Sequence, residues 1–123
     1  TVVEHIKCGK FKWDPDRVSP YLTIEQQRCK GDWRIEGNKL RKQLAGMPVL
    51  NANVLDFLLD HPDLIPYSFD NAVFWGTIYR YKNRLCVRYL HRSDYDNSWH
   101  GYYLELGSFG DFGRFNHPAV LRK

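Results

Sequence analysis

The chain has 123 residues, which suits one domain and leaves no room for a second full one. Apolar residues make up 43% and charged residues 26%, a balance that argues against disorder, and no run approaches the ~18 apolar residues of a membrane span. The net charge is +4, with ten Lys/Arg against nine Asp/Glu in residues 1–66 and eight against five in residues 67–123, so any basic surface belongs to the C-terminal half; the charge permits an anionic partner without demanding one.

Residues 1–20 read as an irregular arm. Asp14-Pro15-Asp16 and Ser19-Pro20 are turn signals, and Phe11 and Trp13 alternate with lysines as in a short edge strand. Residues 21–66 read as mainly helical. Thr23-Ile24-Glu25-Gln26 is a capping-box pattern that starts a short helix, with Gly31 as its stop. Ile35, Leu40 and Leu44 share a face of a second helix over about 36–45, capped by Asn38 and ended by Gly46 and Pro48. Asn51 or Asn53 caps a third, whose stripe is Val54, Leu55, Leu58 and Leu59 and whose end is His61-Pro62. Leu64-Ile65-Pro66 is expected to pack beneath a sheet.

From Ala72 the period changes to two. Residues 72–81, 84–92 and 99–106 are rich in β-branched and aromatic side chains and read as strands of a sheet spanning 67–106. Lys82-Asn83 fits a two-residue hairpin loop, the Asp/Asn-rich stretch 93–98 a longer one, and residues 107–123 a loop-rich tail. With these loop lengths Ile78 faces Val87, Phe74 faces His91, Val87 faces Leu104 and Tyr89 faces Tyr102. One face then collects Phe74, Ile78, Leu85, Val87, Tyr89, Tyr102, Leu104 and Leu106 as a core on which the Leu55, Leu58 and Leu59 stripe is expected to pack. The other mixes rings with guanidinium groups, and Trp75, Tyr79, Arg84, Arg88, Arg92, Trp99 and Tyr103 are its candidate binding residues.

Nucleic-acid-binding sheets stack bases on such rings while Arg and Lys hold phosphates. The competing reading is structural: arginines lie over rings on many solvated sheets, or a helix covers the face. Motifs for other chemistry are weak. His91 and His100 are expected cross-strand neighbours, yet no metal-site spacing exists among the five histidines and three cysteines, and His5-x-x-Cys8 stands alone. Asp94, Asp96 and Ser98 alternate in a loop but lack the central Gly and terminal Glu of a calcium loop. No nucleophile elbow or phosphate-binding Gly-rich fingerprint occurs. Phe109, Phe112 and Phe115, spaced by glycines, are expected to tuck onto the core edge. No catalytic residue, metal or cofactor is expected. The odd, widely spaced cysteines indicate a reducing compartment, the cytoplasm. The start at Thr1 suggests removal of a Met or leader, which leaves export open.

Residues 50–59 (Leu-Asn-Ala-Asn-Val-Leu-Asp-Phe-Leu-Leu), Leu64-Ile65-Pro66, residues 74–80 (Phe-Trp-Gly-Thr-Ile-Tyr-Arg), Cys86-Val87-Arg88-Tyr89-Leu90 and Pro118-Ala119-Val120-Leu121 together resemble a group of short bacterial proteins with no assigned function. The resemblance spans about 35–121. It implies a coherent single-domain family and brings no active site. The group often carries Trp and Gly in the 93–99 loop, where this chain has Asp and Asn.

The expected fold is thus α+β over a single domain 1–123. Two or three short helices pack on one face of a three-stranded antiparallel meander, with room for an extra edge strand from the N-terminal arm. The expected function is a non-enzymatic binding module that uses the aromatic–arginine face for nucleic acid. The alternative is a protein-interaction module, such as a small regulator or inhibitor from a mobile element. An enzyme with an unrecognised His/Asp site is the weakest reading. No membrane partner is expected.

Overall fold

Residues 72–78, Ala-Val-Phe-Trp-Gly-Thr-Ile, are buried without a break. An alternating strand hides every second side chain, so this segment has to be covered on both faces. The computed structural model describes residues 1–7, 13–23, 26, 36–107 and 118–122. Among these residues six strands form one sheet: β1 (Val2–His5), β2 (Val18–Tyr21), β3 (Val73–Tyr81), β4 (Arg84–Arg92), β5 (Trp99–Glu105) and β6 (Ala119–Arg122). Their order is β2-β6-β3-β4-β5, with β1 also on β3. Every pairing is antiparallel except β3 with β6, and the sheet curls into a half-barrel. The described α-helices are α1 (Gly37–Gln43) and α2 (Ala52–Asp60).

The three-stranded antiparallel meander with helices on one face is therefore incorrect. The protein is mainly β, its sheet is mixed, and α1 and α2 cover opposite faces. The reason lies in β1, β2 and β6. Each has four residues; β1 is exposed throughout, β2 contains Pro20, and β6 lies in the tail expected to be loop. None shows a period-two apolar pattern. β1 and β6 exist because the second edge of β3 needs partners, and β2 in turn pairs with β6. Val73 donates its N–H to the Pro118 carbonyl, Gly76 donates to Leu50, and Thr77 to Tyr79 pair with β1. The arm's Phe11, the helix stop at Gly31, Ile35 and the Gly-spaced Phe residues lie outside the described residues.

Local signals were more faithful. The reciprocal bonds of a capping box are present: the Thr23 N–H donates to Gln26 Oε1 at 3.1 Å and the Gln26 N–H to Thr23 Oγ1 at 3.2 Å. Asn51 caps α2 by accepting from the N–H groups of Asn53 and Val54. Glu36, not Asn38, caps α1. Gly46, at φ +82°, follows α1 in the left-handed conformation expected of a helix stop. Of Leu64-Ile65-Pro66, only Ile65 is fully buried. Lys82 and Asn83 have φ of 49° and 63°, the signs of a type I′ hairpin turn.

The β4–β5 register is as expected, with Val87 opposite Leu104, Tyr89 opposite Tyr102 and His91 opposite His100. The β3–β4 register is not. It begins correctly, with Tyr81 opposite Arg84 and Tyr79 opposite Cys86, then shifts so that Phe74 lies opposite Arg88 rather than His91. Five steps along β3, from 79 to 74, are matched by two along β4, from 86 to 88. Within this irregular stretch Gly76 lies against the start of α2; a Cβ there would stand 2.8 Å from Asn51 Cα.

That shift separates the two cores. Phe74 joins Leu50, Leu55, Leu58, Phe69, Leu90 and Val120. Trp75 and Ile78 join Leu40, Leu44, Val73, Val87 and Leu106. The stripe of α2 consequently packs on the Phe74/Leu90 face, not on Ile78, Val87 and Leu104. The Ile78/Val87 face receives α1 instead.

Candidate binding surface

Helix α2 lands on the upper half of the face that mixes rings with arginines. Gly101 lets it approach: a Cβ there would meet Arg88 Nη2 at 2.9 Å, Leu59 Cδ1 at 3.1 Å and Leu55 Cδ2 at 3.3 Å. Arg88 reaches up to α2, with Nη1 2.8 Å from Asp56 Oδ1 and its side chain only 15% exposed. Its Cζ lies 5.5 Å from the Tyr103 ring centre, while its buried Nε–H has no hydrogen-bond partner among the described residues. Burial works against the Arg88 charge, but the Asp56 hydrogen bond and field, helped by Tyr79 and Tyr103, outweigh it and raise its pKa above the ordinary value.

The other predicted site residues divide. Trp75 is buried in the α1 core because of the β3 irregularity, and it lines a different cleft, of about 350 Å³, crossed by the 2.7 Å Arg41–Glu4 pair. Trp99 is half-buried against the α2 core. Arg92 stacks over Tyr67 with Cζ 4.5 Å from the ring centre. Of the predicted residues, Arg84 and Tyr103 are exposed and Tyr79 is half-buried beside Tyr103. Tyr79 meets Tyr103 edge-to-face at 5.4 Å, and Tyr103 is 60% exposed. Arg84 Nη1 lies 3.1 Å from both carboxylate oxygens of Glu105.

These rings border a groove of about 390 Å³ lined by Thr1, Tyr79, Arg80, Tyr81, Cys86 and Tyr103. Tyr81 is 65% exposed, with Lys82 Nζ 5.3 Å from its ring centre. Cys86 is a free thiol; burial first, and Glu105 second, raise its pKa and keep it neutral, against the opposing pull of Arg84. The alternation that puts Tyr79, Arg84 and Tyr103 on this face puts Tyr81, Cys86 and Glu105 there too. Asp56 and Tyr67 leave no such mark in the sequence, because only the landing site of α2 brings Asp56 to Arg88 and only the turn before β3 brings Tyr67 to Arg92.

On the opposite sheet face Tyr89, His91, His100 and Tyr102 form a tile, with ring centres of Tyr102 5.6 Å from Tyr89, 6.1 Å from His91 and 6.2 Å from His100. His91 Nδ1 lies 3.0 Å from Asp70 Oδ1 and 3.1 Å from Asn71 Oδ1; two acceptors place a proton on that nitrogen. Ser98 Oγ is 2.6 Å from both Asp96 Oδ1 and His100 Nε2. The serine has one proton and donates it to Asp96, so His100 donates to Ser98. That order is the reverse of an activated nucleophile, in which histidine accepts the serine proton. Among the described residues no three His, Cys, Asp or Glu are placed to hold a metal ion, and no helix is long and apolar enough to cross a membrane.

No family model, curated protein or solved structure matches the chain.

Proposed function

We propose that the protein is a small binding module that takes single-stranded nucleic acid at the Tyr79/Tyr81/Tyr103 groove. The observation that carries this reading is the pair of largely exposed rings, Tyr81 and Tyr103, on a groove lined also by Arg80, with Lys82 5.3 Å from the Tyr81 ring centre and Arg84 opposite Tyr81 on β4. Bases stack on exposed rings, and cations at the edge meet the backbone. The Arg84–Glu105 pair does not block this role. Its side chains are 69% and 40% exposed, and such surface pairs contribute about 0–1 kcal/mol, so a phosphate competes readily for the guanidinium. Arg88 takes no phosphate in this reading, since Asp56 already balances its charge, and Arg92 stands four residues further along β4, over Tyr67 and away from the groove.

The test is fluorescence anisotropy with labelled single-stranded oligonucleotides across a salt series. Tyr103→Ala is expected to weaken binding by about 1–3 kcal/mol, the value of one stacked base. Arg84→Ala is expected to flatten the slope of log K against log salt by about 0.7, one phosphate on a single strand. Arg88→Ala/Arg92→Ala is expected to leave that slope unchanged. Absence of binding by the wild type at low salt sinks the nucleic-acid reading. The protein-interaction reading then takes its place, favoured by the carboxylates already paired with Arg84 and Arg88 and by the suitability of Tyr and Arg as interface anchors.

A further inference from the structure

We infer that the groove seats one base at a time and that the module covers a strand of about four nucleotides or fewer; this rests on the nucleic-acid reading above. The argument is the length of open sheet. At one end α2 closes the face, with Leu55 and Leu59 over Gly101 and Asp56 holding Arg88. At the other end the sheet stops at the Lys82-Asn83 turn. Between the Arg88–Tyr103 row and the Arg84–Tyr81 row, β4 advances four residues, about 13 Å at 3.3 Å per residue. Stacked nucleotides advance about 3.4 Å each, so about four span that length. Across the sheet the open path is about as long, because β1, β3, β4 and β5 lie side by side at a spacing of about 4.8 Å. The groove's volume of about 390 Å³ lies at the low end of small-ligand pockets, which run from about 300 to 1,000 Å³. A ring entering the groove has Tyr81, Cys86 and the Tyr79–Tyr103 pair in its lining. The neutral thiol beneath does not repel a phosphate.

Isothermal titration with oligothymidylates of four, twelve and twenty-four nucleotides tests the footprint. The expected result is an affinity per site that changes by less than about threefold across the series, with several proteins on the longest strand. Tyr81→Ala and Tyr103→Ala each lower the affinity for the four-nucleotide strand by at least about fivefold, the low end of one lost stacking contact. Both rings are exposed, so these variants keep the fold. The inference is overturned if affinity climbs about a hundredfold from four to twelve nucleotides with one protein per strand, which requires a long track across the molecule. If no length binds, the nucleic-acid reading itself fails, an outcome distinct from a long footprint.

Discussion

Arg88 meets Asp56 at 2.8 Å, lies beside the Tyr103 ring and crosses the bare backbone of Gly101. It sits at a non-hydrogen-bonded pair of the β4–β5 ladder, since the Ser93–Ser98 and Leu85–Leu106 hydrogen bonds fix the alternation, and there facing side chains approach most closely. The guanidinium thus joins the open groove to α2, and its charge is balanced by a helix residue rather than left for a ligand. Asp96 is tuned by equally local means. The Ser98 hydroxyl, then the Ser98 N–H, hold its pKa below the ordinary value of 3.8, with smaller help from Ser93 and His100. A depressed folded pKa means that the carboxylate's contribution to the 93–98 loop is present above the unfolded value and is lost as pH falls through the depressed one. Titration of the Asp96 carboxyl carbon by NMR is expected to give a midpoint below 3.8 in the wild type and one nearer 3.8 in Ser98→Ala. A wild-type midpoint at or above 3.8 would show that the Ser98 bonds do not form in solution.

At the scale of elements, α2 and β3 are fitted to each other. Leu55 and Leu58 are fully buried, and Asn51 at the helix start presses on Gly76. Gly76→Ala places a methyl group against backbone rather than a flexible side chain, so the strand or the helix has to move. Denaturant melts are expected to show a loss of about 1–3 kcal/mol, as for overpacking. Leu58→Ala is expected to cost about 2–5 kcal/mol as a buried truncation. A cost below about 0.5 kcal/mol for Leu58→Ala contradicts its place in the core. The two positions also show what a sequence can hold. The Leu58 stripe is visible as a 3.6-residue period, because burial on one helix face leaves a periodic trace. The irregularity at Gly76 is not, because its cause is contact with Leu50 and Asn51, which are some 25 residues away. A period-two reading carried through residues 74–79 therefore assigned Phe74 and Ile78 to one face. It moved α2 to the wrong side and Trp75 onto the candidate site.

At the scale of the whole molecule, β6 is the keystone of the sheet. It separates β2 from β3, its Val120 is fully buried, and the Val120 carbonyl accepts the Leu50 N–H. Arg122 donates to Pro48 from the same strand. Deleting residues 119–123 removes these bonds and uncovers Val73 and Val18, so near-UV circular dichroism is expected to lose its cooperative thermal transition. A retained sharp transition at an unchanged midpoint means that β6 is dispensable. The sequence by itself determined what neighbouring residues decide: the Thr23–Gln26 box, the Asn51 cap, the Lys82-Asn83 turn, the three long strands and the β4–β5 register. Alternation and turn chemistry act over a few residues, and one hairpin loop sets a register. Only the tertiary structure decided the rest: the recruitment of β1, β2 and β6, the parallel contact, the irregularity in β3, and which half of the aromatic–arginine face stays open. Those outcomes follow from satisfying the far edge and both faces of β3 with segments distant in the chain, a requirement that leaves no periodic mark on the segments that meet it.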